Sequence, residues 1–145
     1  MKNNAECATS AVKLDGEISK YVDILQGVAQ GCTISPNQFK VYINDMIVAV
    51  EAAKQGVTVE EDTVSGLMFA DDFMGVSETP PRLQKQEEKA LEYTRKWRVT
   101  ANVKKCAVIV CNEDKVNPVP FKWKWGEDGL SIADQYTYLG VEISK

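Results

Sequence analysis

The chain contains no histidine, and that absence removes whole mechanisms. Ser-His and Cys-His nucleophilic catalysis cannot be assembled from it, nor can a zinc site with an imidazole ligand. Chemistry is left to carboxylates, lysines, thiols and bound metal. Cysteine is scarce. Cys7, Cys32, Cys106 and Cys111 show none of the short paired spacings of a metal site. They read as reduced thiols of an intracellular host, cytoplasmic or nuclear and not secreted. Long apolar runs are lacking as well: Met46-Ile47-Val48-Ala49-Val50 stops at Glu51, well short of a membrane span. No membrane partner is expected, and Met1-Lys2-Asn3-Asn4 leads into no apolar signal-peptide core. Basic residues are outnumbered, 17 against 21 acids, for a net charge of −4. A self-sufficient nucleic-acid binder is usually basic.

What is present is an ordinary soluble composition, 44% hydrophobic and 26% charged. The 145 residues leave room for one domain with a real core, or for part of a larger one. Charge is unevenly spread. From Arg82 to Lys105 eight basic residues face three glutamates, a local +5; from Glu51 to Thr79 seven acids face Lys54, a local −6. An acidic centre beside a basic helix suits metal ions next to a phosphate backbone. A solvated amphipathic helix explains the same pattern.

Taken in order, Ala11 to Leu14 and Glu17-Ile18 flank Asp15-Gly16, a strong hairpin signal. The second strand is expected to continue through Tyr21, Val22 and Ile24. A helix is predicted from Ser35, with Ser35 as N-cap, Pro36 at the first helical position and Gln38 closing a capping box. Phe39, Ile43, Met46, Ile47 and Val50 share one of its faces, and Gly56 is its expected stop. A second helix is predicted from about Pro81 to Trp97, with Leu83, Ala90, Leu91, Thr94 and Trp97 as its buried stripe. Lys105 to Cys111 reads as a β-branched strand. Phe121, Trp123 and Trp125 alternate with Lys122 and Lys124, the pattern of a sheet with one inward face; the aromatics could also stack on bases. Gly126 to Gly129 turns, and Tyr136 to Ile143 reads as a last strand.

Between the helices lies Gly66-Leu67-Met68-Phe69-Ala70-Asp71-Asp72-Phe73-Met74-Gly75-Val76. Two apolar runs flank a carboxylate pair, which predicts a tight hairpin with Asp71-Asp72 at its tip. A hard cation such as magnesium could collect those carboxylates. A solvated turn between two core strands is the plain alternative for the dipeptide alone.

Four segments, in order, carry a resemblance. They are Gly27-Val28-Ala29-Gln30-Gly31-Cys32-Thr33-Ile34-Ser35-Pro36, Phe69-Ala70-Asp71-Asp72, Asn102-Val103-Lys104-Lys105-Cys106 and Tyr138-Leu139-Gly140-Val141. Together they resemble the reverse transcriptases of non-LTR retrotransposons and group II introns, across nearly the whole chain. The resemblance implies RNA-directed DNA polymerisation, an in-line displacement assisted by two magnesium ions, with an RNA template, a DNA primer and a deoxynucleoside triphosphate as partners. It implies Asp71 as a direct metal ligand and Asp72 as its partner. Lys105 would assist the pyrophosphate leaving group. Gln30, Gly31, Ser35, Pro36, Phe69 and Ala70 would lie near nucleotide or template, and Tyr138, Leu139 and Gly140 would support the primer end.

The chain departs from that pattern in places. The family's earlier F-D-x-x-x-A-F-D strand has no counterpart before Gly27, and neither Asp15 nor Asp23 replaces its aspartate. Ala29 stands where a basic residue is usual, and Asn37-Gln38 where apolar ones are. The expectation is therefore an α+β partial palm over residues 1–145, a short, mostly antiparallel sheet with two helices on one face. Fingers, first aspartate strand and thumb are expected to be absent, leaving the chain inactive by itself and prone to associate through Phe121, Trp123, Trp125 and Met74. A non-catalytic remnant or interaction module is the alternative; an unrelated phosphotransfer domain would leave Tyr138-Leu139-Gly140 unexplained.

Overall fold

A computed structural model describes residues 9–24, 27, 28, 31–111, 116 and 120–145. The chain divides into two compact units, residues 1–40 and 41–145, and the division falls within the first helix. The described residues form an α+β structure of two helices and short strand pairs. Six of the seven pairs are antiparallel, and each stands as its own two-stranded ladder.

In the first unit, β1 (Thr9–Ser10) pairs with β4 (Val22–Asp23), and β2 (Lys13–Leu14) with β3 (Glu17–Ile18). Asp15 and Gly16, at φ 50° and 90°, make the expected turn, since both central residues of a type I′ turn need positive φ. The strand does not run on to Val22. Instead the Ser19 hydroxyl accepts from the Val12 amide at 2.9 Å, which closes the first hairpin before β4 starts.

Helix α1 (Ser35–Ala52) starts one residue earlier than the capping-box reading allows. The Gln38 amide donates to the Ile34 carbonyl at 3.0 Å, so Ile34 holds the cap position and Ser35 is a buried first-turn residue. Its apolar face is as expected: Ile43, Met46 and Val50 are buried, with Phe39 and Ile47 half-buried. The helix stops at Lys54, which takes a left-handed φ of 50°. Gly56 has a different role, since a Cβ there would press on the Val64 carbonyl.

In the second unit, β5 (Val57–Val59) and β6 (Asp62–Val64) form one hairpin, and β7 (Gly66–Phe69) and β8 (Asp72–Gly75) the next. Helix α2 (Pro80–Trp97) opens with Pro80 and Pro81, whose missing amides cost nothing in a first turn. It ends at Arg98 in the left-handed region, where the Val99 amide reaches back to the Thr94 carbonyl at 2.9 Å. The buried residues of α2 are Gln86, Ala90, Tyr93 and Thr94. Leu83 and Leu91 are half-buried and Trp97 is 41% exposed, so the stripe is rotated from the apolar prediction. Tyr93 donates to the Tyr42 carbonyl and Tyr42 to the Trp97 carbonyl. The polar tips of these rings thus pin the helices together while their edges stack.

Beyond α2, Val103–Lys105 is a 3-10 turn and only Ala107–Val108 is strand, β9. The predicted strand from Lys105 to Cys111 is therefore shorter, and Lys105 lies in the turn. Trp123 is buried to 4% exposure against half-buried Phe121 and Trp125, with Lys122 and Lys124 exposed, as the alternation predicts. Strand β10 (Lys124–Trp125) docks on α2 through both halves of the Gln84 amide. Its nitrogen donates to the Lys124 carbonyl at 2.8 Å, and its oxygen accepts from the Lys124 amide at 3.0 Å. Strand β11 (Asp128–Gly129) returns along β10 across Gly126 and Glu127. Strand β12 (Ser131–Ile132) pairs parallel with β9. The predicted last strand is two, β13 (Gln135–Tyr138) and β14 (Val141–Ser144), turning at Leu139 and Gly140, φ 50° and 80°. No helix among the described residues is long and apolar enough to cross a membrane.

Candidate active site

The acidic hairpin forms, with a register one residue off the expectation. Phe69 pairs with Asp72, Met68 with Phe73 and Leu67 with Met74, so the two-residue turn is Ala70-Asp71. Asp72 is the first residue of the returning strand. Ala70 carries the positive φ of 52°, at the position that a glycine usually fills in such turns. The hairpin is held from below by close backbone packing. A Cβ on Gly66 would press on the Met74 carbonyl, and one on Gly75 would meet Gln86 Oε1 at 3.1 Å. The ladder extends one step further, with the Val76 amide donating to the Ser65 carbonyl at 2.9 Å.

Phe69, Ala70, Asp71 and Asp72 are all exposed, and Phe69 and Leu67 show 64% and 53% of their surface. Met68, Phe73 and Met74 are half-buried. Leu67 and Phe69 thus give the hairpin exposed apolar surface, as Val41, Val48, Leu139 and Val141 do elsewhere in this unit. Of the residues predicted to drive association, Trp123 is inside, and Phe121, Trp125 and Met74 are half covered.

Two tyrosines of one strand meet the catalytic candidates. Tyr138 donates its hydroxyl to the Asp72 carbonyl at 3.2 Å, and Tyr136 donates to the Lys105 carbonyl at 2.8 Å. Burial, and then the nearby Asp72 charge, push the Tyr138 phenol above its ordinary pKa, so it stays a donor. Tyr136 was not among the expected site residues. Its signal was available: two residues from Tyr138 on a strand, it shares that residue's face. Leu139 and Gly140 form the turn next to Tyr138. Lys105 itself is exposed, and a depression of about 540 Å³ beside its turn is lined by Asn102, Lys104, Asp128 and Ser131. Asp71 and Asp72 do not line it.

Gly31, Ser35 and Pro36 belong to the first unit. Gly31 takes a φ of 84°, which glycine adopts freely. Ala29 and Gln30 lie outside the described residues. Cys32, not expected to be special, has a thiol pKa below its ordinary value. The Ile34 amide contributes most, then the Ser35 side chain and amide. At the other end of the electrostatic range, burial raises Glu87 on α2 to about 7, helped by Glu88. Burial, then the charge of Glu87, raises the Cys106 thiol. Cys32, Cys106 and Cys111 are free thiols.

Among the described residues, no group of three or more His, Cys, Asp or Glu is close enough to hold a metal ion. Asp71 and Asp72 are adjacent and exposed, and one or two carboxylates are what a single magnesium ion usually takes from a protein, together with several waters and substrate phosphates. The pair does not fit two ions, whose mutual repulsion several shared carboxylates must offset.

The exposed acidic hairpin and the turn that carries Lys105 are both touched by the strand that carries Tyr136 and Tyr138. The family model for reverse transcriptase (RNA-dependent DNA polymerase) matches residues 4–143, and the chain belongs to that family. No curated protein matches it.

Proposed function

We propose that this chain contributes the Asp71-Asp72 part of the catalytic centre of an RNA-directed DNA polymerase of the non-LTR retrotransposon or group II intron type. One observation carries the reading: within the matched segment, both carboxylates stand at the exposed end of a two-residue hairpin. Family membership supports an RNA template, a DNA primer and deoxynucleoside triphosphates as partners, in an intracellular setting. Magnesium, when bound, would stabilise negative charge on the reacting phosphate oxygens.

In this reading Asp71 and Asp72 hold the metal. Lys105 Nζ gives a proton toward the leaving pyrophosphate, and Gly31, Ser35, Pro36, Phe69 and Ala70, with Gln30, border nucleotide and template. Tyr138, Leu139 and Gly140 present the primer-supporting turn. Residues 1–145 alone are inactive, because one aspartate pair does not fit two metals. Among the described residues no group of three or more His, Cys, Asp or Glu could hold a metal ion, which favours a second reading: a non-catalytic module that keeps the core.

Grafting residues 4–143 into the matching place of an active relative separates the two. Primer extension on an RNA template that Asp71→Asn abolishes supports the first reading. A folded but dead graft supports the second.

A further inference from the structure

We propose that Tyr136 and Tyr138 are positioning residues, which use one face of β13 as a spacer between the acidic hairpin and the lysine turn. The inference rests on the reading of Asp71-Asp72 as the metal-holding pair and adds to it two side chains whose hydroxyls act through the backbone of Asp72 and Lys105.

The geometry is that of a strut. Residues two apart on a strand point to the same side, with their Cα atoms about 7 Å apart. The first hydroxyl takes the Lys105 carbonyl at 2.8 Å and the second the Asp72 carbonyl at 3.2 Å. The lower end of β13 is anchored next to Lys105 by independent bonds. β12 pairs with β9 through Ser131↔Ala107 and Ile132↔Val108, and the Ala133 amide donates to the Val108 carbonyl at 2.9 Å. Tyr138, at the turn end, then carries that anchorage across to the hairpin.

Both bonds fall on main-chain carbonyls. They fix where the backbone of Asp72 and Lys105 lies without engaging the carboxylate or the ammonium. A phenylalanine would fill the same volume and could make neither bond. The β7–β8 ladder is only two strands wide, and its first turn residue sits at an unfavourable φ. Such a hairpin gains most from an outside tether.

The test uses residues 1–145 with Tyr138→Phe and Tyr136→Phe, read by carbonyl-carbon NMR and magnesium titration of the Asp71 and Asp72 amides. Tyr138→Phe is expected to shift the Asp72 carbonyl resonance and weaken magnesium binding by about 2- to 10-fold, the worth of one neutral hydrogen bond. Tyr136→Phe should shift the Lys105 carbonyl and leave the Asp72 resonance in place. Melting temperatures close to the parent's separate positioning from a general loss of fold. A wild-type chain that shows no magnesium response overturns the metal-holding role, and the proposal with it in part. The carbonyl signatures then decide the strut alone. Unchanged Asp72 and Lys105 carbonyls in the two variants overturn it.

Discussion

The buried side-chain amide of Gln86 on α2 donates a 2.9 Å hydrogen bond to the Val76 carbonyl, just past the acidic hairpin. Gln86 is 0% exposed, and its Oε1 has no hydrogen-bond partner while lying against Gly75. The residue is therefore a tether rather than a solvated helix polar. Gln86→Ala removes buried volume and leaves the Val76 carbonyl without this donor. The expected loss is about 2–4 kcal/mol, measured by urea denaturation. A change within a few tenths of a kcal/mol would show that Val76 does not depend on it.

Two substitutions in the hairpin should act with opposite signs. Ala70→Gly relieves a positive φ that alanine adopts reluctantly and should stabilise by about 1 kcal/mol or less. Gly66→Ala forces a Cβ against the Met74 carbonyl and should destabilise by about 1–3 kcal/mol. Thermal melts of both, side by side, check the register. If the turn were Asp71-Asp72, Ala70→Gly would only add unfolded-state entropy and would destabilise.

Glu87 makes stability depend on pH. Its carboxyl is raised from 4.5 to about 7, by burial first and by Glu88 second, and its Oε2 has no hydrogen-bond partner. Between those values the folded chain binds more protons than the unfolded chain. The contribution of this group is fully present below about pH 4.5 and is lost as pH rises through about 7. Glu87→Gln should flatten that part of the profile and raise stability above neutrality. Denaturation midpoints across the window check it; parallel profiles for parent and variant would count against a buried Glu87.

Much of this was legible in the sequence where a local rule and a tertiary need agree. Asp15-Gly16 makes its own turn, and the spacing of Ile43, Met46 and Val50 makes its own buried face. The alternation at Phe121, Trp123 and Trp125 needs only a strand and a core. The acidic hairpin was visible too, but not its register. Ala70 takes the positive φ because cross-strand packing at Gly66 and Gly75 sets the pairing, and no dipeptide reports that. On α2 the polarity of Gln86 and Glu87 hid the burial of the first and the partial burial of the second. A hydrogen bond to a strand carbonyl compensates the first, and a raised pKa accommodates the second. Tyr136 and Tyr138 were readable as a shared face, yet their partners lie 31 and 66 residues away, beyond any local signal.

Residues 1–145 should bind magnesium weakly, with Kd above about 10⁻⁴ M, because one exposed aspartate pair leaves most of the octahedron to water. Asp71→Asn removes one of two charges and should abolish the response of the neighbouring amides in an NMR titration. Lys105→Ala should leave it unchanged, since the lysine acts on a leaving group and not on the metal. In the grafted polymerase the order reverses in kind but not in rank. Asp71→Asn should remove detectable extension, whereas Lys105→Ala should slow it by no more than about 10²–10⁴-fold, the usual worth of proton assistance. Submicromolar magnesium binding by the 145 residues alone, lost in Asp71→Asn, would mean that further ligands close on the hairpin and that the pair is not the whole of the site.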